Sequence, residues 1–219
     1  MIDIKKLYDT RFTTLERIRK GQLWEILCQD FLQQFIRQND KVVDLGAGQC
    51  EFINHITCGK KIAIDLNKEV NYFANSDVEV IISSVKRLNN LFKRSTIDVI
   101  FMSNLLEHLD SKEEVFRLIN EAYNVLKKGG RILIMQPDIK LVGNSYWDFF
   151  DHKVPITLAS LKEALYANQF YITYEKYPFL PYSTKITYLP LWPPFLKLYL
   201  KIRPLHFIFG KQFFVCAKK

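Results

Sequence analysis

Val42-Val43-Asp44-Leu45-Gly46-Ala47-Gly48-Gln49-Cys50 constrains this chain more than any other stretch. Its apolar head reads as a buried strand, its glycines as a tight turn, and the residues after them as the start of a helix. Gly46 and Gly48 lack Cβ, so the backbone there can take positive φ and come close to a ligand. A turn of this kind also aims free N–H groups at whatever sits beside it. A second apolar run, Lys61-Ile62-Ala63-Ile64, ends on Asp65, where an acid can accept bonds from two ribose hydroxyls. An ordinary glycine-rich αβ connection is the plain alternative, and Asp65 argues against it.

Two residues separate this turn from a dinucleotide site. The dinucleotide fingerprint wants a third glycine near the pyrophosphate, and Cys50 stands there. Asp44 lies directly before the glycines, where a carboxylate repels phosphate and attracts a cationic amine. The expected ligand carries an ammonium and a sulfonium and no phosphate.

Asp44-Leu45-Gly46-Ala47-Gly48 resembles motif I of the class I S-adenosylmethionine-dependent methyltransferases. Asp65-Leu66 resembles their ribose-binding position. Ile97 to Leu109 is similar to their fourth strand and the turn after it, and Lys127 to Ile134 to the entry to their fifth. The match runs in consistent order over residues 40–177. It implies S-adenosylmethionine as cofactor and S-adenosylhomocysteine as product. It also implies a doubly wound, Rossmann-like α/β fold. The seven-stranded, mostly parallel sheet has order 3-2-1-4-5-7-6, with strand 7 antiparallel. Cofactor contacts carried over are Asp44, Gly46, Ala47, Gly48, Asp65, Leu66, Ser84, Val85, Ser103, Asn104 and Leu105. The family often holds the adenine amine with an acid after strand three. Here Ser84 takes that place, and its hydroxyl can still accept the bond.

A chain of 219 residues fits one domain with a sizeable core. Residues 1–38 form an N-terminal helical lid, 40–177 the cofactor-binding core, 178–204 an insert and 205–219 the last strand. Helical periodicity covers 4–38, with Gly21 separating two helices, and Tyr8, Arg11 and Phe12 are candidates for the lid. Strands are expected at 41–45, 61–65, 78–82, 97–102, 131–136, 169–177 and 206–217. Ser111 and Thr157 cap helices after strands four and five. The first of these runs to Lys127, where Gly129 ends it. Pro137 stops the fifth strand.

Met1 to Lys6 has no signal-peptide core, and the four cysteines form no C-x-x-C pair. Both point to a cytoplasmic protein. The four histidines are scattered, so no metal is expected. The net charge of +8 is concentrated: no acid follows Glu175, while Lys176, Lys185, Lys197, Lys201, Arg203, Lys211, Lys218 and Lys219 do. Such a surface suits an anionic partner. The insert, with six prolines, is too broken to span a membrane. Phe195 to Arg203 is expected to form a short amphipathic helix with Lys197 and Lys201 on one face. The insert caps the acceptor site, lies peripherally on an anionic membrane or holds a lipid-linked substrate, or simply packs on the core.

Methyl transfer from a sulfonium asks mainly for alignment and exclusion of water, and an oxygen acceptor adds the need for a base. His152, in Tyr146-Trp147-Asp148-Phe149-Phe150-Asp151-His152, is the candidate base after strand five. Tyr146 and Trp147 with His152 are the candidate substrate contacts. His108 is expected to pack beneath the cofactor or to bond backbone. The leading reading is methylation of a small-molecule acceptor, at oxygen: a saccharide, a lipid-linked intermediate or another metabolite. Methylation of tRNA or other nucleic acid is the alternative. Ser103-Asn104-Leu105-Leu106 counts against it, since base methylation at nitrogen often uses an N/D-P-P-Y/F-type motif there. A non-catalytic cofactor-binding or membrane-docking protein is the third reading.

Overall fold

A computed structural model describes residues 14–182 and 193–219. The lid candidates Tyr8, Arg11 and Phe12 lie outside the described residues. In chain order the elements are α1 (Thr14–Asp30), β1 (Lys41–Leu45), α2 (Glu51–His55), β2 (Lys60–Asp65), α3 (Val70–Phe73) and β3 (Val78–Ile82). Then come α4 (Leu88–Leu91), β4 (Ile97–Ser103), α5 (Lys112–Val125), β5 (Leu126–Pro137), α6 (Ile139–Val142) and α7 (Leu158–Ala167). The chain ends with β6 (Tyr171–Lys176), α8 (Pro193–Lys201), α9 (Arg203–Phe209) and β7 (Gln212–Lys218).

The strands form one sheet of order β3-β2-β1-β4-β5-β7-β6. β1 runs parallel to β2 and β4, and β7 lies antiparallel between β5 and β6. This is the expected order. Alternate residues of each central strand feed two separate cores. Val43, Leu45, Ile100, Met102, Ile132 and Ile134 face one layer, with Leu118, Ile119 and Leu161 from α5 and α7. Val42, Phe101, Leu133 and Phe214 face the other, with Ile26 of α1, Phe31 just after it, and Phe52 and Ile53 of α2. Burial on both faces explains why these strands read as continuous apolar runs. The parallel order brings the carboxyl ends of β1, β2 and β4 to one edge, where such sheets bind ligands.

Three expectations are corrected. Helix α1 runs through Gly21 without a break. A helical glycine costs about 1 kcal/mol, which packing of the apolar face against the sheet offsets. Helix α5 stops at Val125, because Leu126 already pairs with Ile97 of β4. Gly129 takes φ +76° inside β5 and donates to the Lys219 carbonyl rather than ending a helix. The last strand begins at Gln212, not 206. The aromatics at 207 and 209 suggest period two, but Pro204 starts a helical turn instead. Ser111 and Thr157 do cap their helices, accepting from the N–H groups of Glu114 and Ser160.

Opposite the binding edge, Asp40 ties the start of β1 to β5. Its carboxylate accepts from Arg37 N (2.7 Å) and from the Arg131 guanidinium (2.5 Å), Asp40 being buried and Arg131 largely shielded from solvent. Asp40→Ala leaves that shielded guanidinium without its carboxylate. Urea unfolding is expected to show a loss of about 3–5 kcal/mol.

Candidate functional site

The glycine turn is built from β1 outward. Gly46 and Gly48 take φ +70° and +55°. A Cβ at Gly46 would also lie 2.8 Å from Leu105 Cδ1, so the Leu105 side chain would have to move aside. The end of β4 thus closes against the turn. The N–H groups of Gly46 and Ala47 both donate to the Ile64 carbonyl of β2, at 2.8 and 3.1 Å. Gly48 N donates to Asp65 Oδ2 at 2.9 Å, and Asn67 N to Asp65 Oδ1 at 2.8 Å. Cys50 N donates to the Ala47 carbonyl. The expectation of free donors aimed at a ligand is therefore not met at these four residues. Their amides are consumed by β2, by Asp65 and by the turn itself.

What gathers around the turn is negative charge. Asp44 is buried, and desolvation, then Glu51 and Asp65, push its carboxyl well above the usual carboxylate range. The Ile53 N–H bonds to it and opposes that shift. Asp44 so satisfies a donor in the first turn of α2, whose N-cap Cys50 offers no side-chain bond. Glu51 pairs with Lys20 of α1 at 2.7 Å. Burial and the same carboxylates push the Cys50 thiol up to about 12.

Across the edge, the segment after β4 and the loop after β5 meet. Asn104, at φ +48°, donates its N–H to the Met135 carbonyl, and Ser103 is half-buried beside it. Glu107 is fully buried, and Gln136 Nε2 donates to its carboxylate at 2.6 Å. Its backbone carbonyl accepts from Lys153 N and Val154 N. His108 Nδ1 lies 3.2 Å from the Asp151 carbonyl and 3.3 Å from its carboxylate, in keeping with a backbone-bonding role. The His152 ring stacks on Phe149 and meets the edges of Tyr146 and His108, with centroids 4.8–5.0 Å apart. Tyr146 is fully buried and its hydroxyl donates to the Val154 carbonyl, so it supports the loop from below. Trp147 and Phe150 are exposed and present their rings outward.

Glu107, His108 and His152 bring ligand-type atoms within 4.8 Å of one another, the group of three described residues that does so. Two imidazoles and a carboxylate are a donor set that suits zinc or proton transfer alike. The scatter of the histidines along the sequence concealed this meeting.

A methyltransferase domain family matches residues 43–134. No curated relative matches the sequence. Among solved structures, a SAM-dependent methyltransferase from Archaeoglobus fulgidus superposes with TM-score 0.67 at 22% identity, covering 91% of this chain and 94% of its own. An S-adenosylmethionine-dependent methyltransferase from Mesorhizobium loti gives 0.61 at 15%, over 86% and 95%. One from Methanosarcina mazei gives 0.59 at 17%, over 86% and 96%. At these identities the structural likeness is one of fold, and the family match and the ordered motifs agree with it. Residues 43–134 match that methyltransferase domain family, and the fold around them is the one these S-adenosylmethionine-dependent enzymes share.

Within this domain the departures from the family pattern acquire physical form. Cys50, at the usual third glycine, holds φ +60°, a left-handed conformation costing a β-carbon residue about 1–2 kcal/mol. Its buried Sγ reaches the Val70 carbonyl at 3.8 Å. Ser84, in place of the adenine-side acid, caps the short helix Val85–Arg87 by accepting from Lys86 N at 3.3 Å. Val85 is buried beneath it, whereas Leu66 is 60% exposed next to Asp65. Glu51 and Glu107 escaped the sequence reading. Glu51 follows Cys50 at a helix start, a signal that was present; nothing in the sequence marks Glu107 as buried.

Proposed function

We propose that the protein transfers the methyl group of S-adenosylmethionine to an oxygen of a small-molecule acceptor. Saccharides, lipid-linked intermediates and other metabolites are the acceptor classes in view. The observation that carries this reading is the electrostatic character of the turn. Gly46, Ala47 and Gly48 spend their N–H groups inside the protein, so a pyrophosphate would find few donors there. Asp44, Glu51 and Asp65 crowd the same place, which favours a cation. A ligand with an ammonium and a sulfonium fits that field.

S-adenosylmethionine supplies an activated methyl: the C–S pair stays on sulfur as the C–O bond forms. Asp65, with lone pairs left on both oxygens, accepts from ribose hydroxyls. Leu66, Ser84 and Val85 would hold the adenosine part, the Ser84 hydroxyl accepting from the adenine amine, and Ser103, Asn104 and Leu105, the last packed on Gly46, would border the methionine and adenine ends. His152 takes the acceptor's hydroxyl proton, with Tyr146 and Trp147 as its companions against the acceptor.

Calorimetry with S-adenosylmethionine and with S-adenosylhomocysteine tests the reading directly. Saturable binding of both is expected; no heat at millimolar ligand would overturn it.

A further inference from the structure

Helices α8 and α9 have two unlike faces. The inner face is anchored: Tyr199 and Leu200 are buried, the Tyr199 hydroxyl donates to the Phe179 carbonyl, and His206 Nε2 lies 2.8 Å from the Tyr199 carbonyl. This face belongs to the same core as Phe31, just after α1, and Phe214 of β7. The described end of the insert, from residue 193 onward, is therefore folded onto the domain.

Among the described residues the outer face has no such partner. Leu198, Phe207 and Ile208 are 50%, 63% and 66% exposed. Lys197, Lys201 and Arg203 are exposed among them, and the Arg203 guanidinium sits 5.9 Å from the Phe207 ring centre. No acidic residue follows Glu175, so nothing in the segment itself neutralises these charges. None of the described helices is long and apolar enough to cross a membrane. Exposed apolar side chains and cations interleaved along two consecutive helices form the pattern of helices lying in a lipid interface.

We propose that this face docks the protein on an anionic phospholipid bilayer. Phe207, Ile208 and Leu198 enter the boundary between headgroups and acyl chains, while Lys197, Lys201 and Arg203 sit at the level of the phosphates. The charge pattern alone would also suit RNA. The aliphatic members decide between them: Ile208 and Leu198 offer bases no ring to stack on, and their burial is rewarded in lipid. The proposal stands apart from the methyl-transfer reading, because membrane docking needs neither donor nor acceptor.

Sedimentation of the full chain with vesicles tests it, using phosphatidylcholine with and without phosphatidylglycerol. Binding is expected only when phosphatidylglycerol is present, and it weakens with salt. Phe207→Ser with Ile208→Ser, both exposed and so tolerated by the fold, should weaken binding roughly tenfold or more. Lys197→Gln with Lys201→Gln should weaken it several-fold for each charge removed, at about fivefold per cation. The variants' thermal unfolding should match that of the parent. Failure of the parent to bind anionic vesicles would overturn the proposal, as would undiminished binding by the Phe207/Ile208 variant. Salt-sensitive binding to single-stranded RNA without vesicle binding would overturn it in favour of a nucleic-acid surface.

Discussion

Replacing Asp44 with Asn should make the ligand-free protein more stable at neutral pH and weaken its hold on S-adenosylmethionine. Burial, then Glu51 and Asp65, raise the Asp44 carboxyl well above its ordinary value of 3.8. The sign follows from linkage. Above about pH 4 the unfolded chain has released this proton while the folded chain still binds it, so stability falls as pH rises through that window. The loss stops growing once the folded carboxyl ionises. Asn cannot titrate, and its amide oxygen still accepts from Ile53 N. The gap between variant and parent should be near zero in acid and widen toward neutrality, reaching on the order of 2 kcal/mol. A cationic ligand supplies the compensation that the ligand-free site lacks. Losing the carboxylate should therefore cost roughly tenfold to hundredfold in cofactor affinity, the range for a hydrogen bond to a charged group. Urea unfolding across pH, paired with calorimetry, reads both effects. An Asn variant that is less stable at neutral pH, or that binds the cofactor as tightly, would show that Asp44 serves only to cap α2.

The sheet was legible because its signal is local. β1, β2 and β5 are apolar runs closed by a glycine, an acid and a proline, and residues buried on both faces leave that mark in any one sequence. The order of the strands came from the resemblance, not from the runs. Boundaries failed where two periods compete. The stretch 206–209 alternates aromatics and so imitates a strand, yet Phe207 faces out and His206 faces in on one turn of α9. Gly21 reads as a break because propensity is all a sequence displays, whereas the packing that carries α1 across it is tertiary.

The candidate site divides the same way. Gly46, Gly48 and Asp65 lie within one βαβ unit, so their approach could be anticipated from spacing. What they do with one another could not. That Asp65 binds Gly48 N, and that Ile64 takes two amides of the turn, depends on the register of β1 against β2. His108 and His152 stand on different strands' loops, and only the pairing of β4 with β5 brings them together. A buried carboxylate such as Glu107 has no sequence signature at all, because burial is a property of the layers above and below it.

Removing the His152 imidazole is expected to have the largest effect on turnover. His152→Ala should lower kcat by roughly 10²–10⁴-fold, the usual range for a general base. Affinity for S-adenosylhomocysteine should stay within about twofold, since the ring touches Phe149, Tyr146 and His108 and no residue of the glycine turn. The loop has anchors of its own: Lys153 N and Val154 N bind the Glu107 carbonyl, and Lys153 Nζ pairs with Asp110. It should therefore keep its path in the variant, which an unchanged thermal midpoint would verify. His108→Ala should cost less, about tenfold, because His108 orients its neighbour through an edge contact and through Asp151. The readout is release of S-adenosylhomocysteine on adding fractionated small-molecule extract, which works with the acceptor still unidentified. Undiminished release by His152→Ala would mean that the acceptor's proton leaves to water, and that the Asp151-His152 pair only shapes the loop.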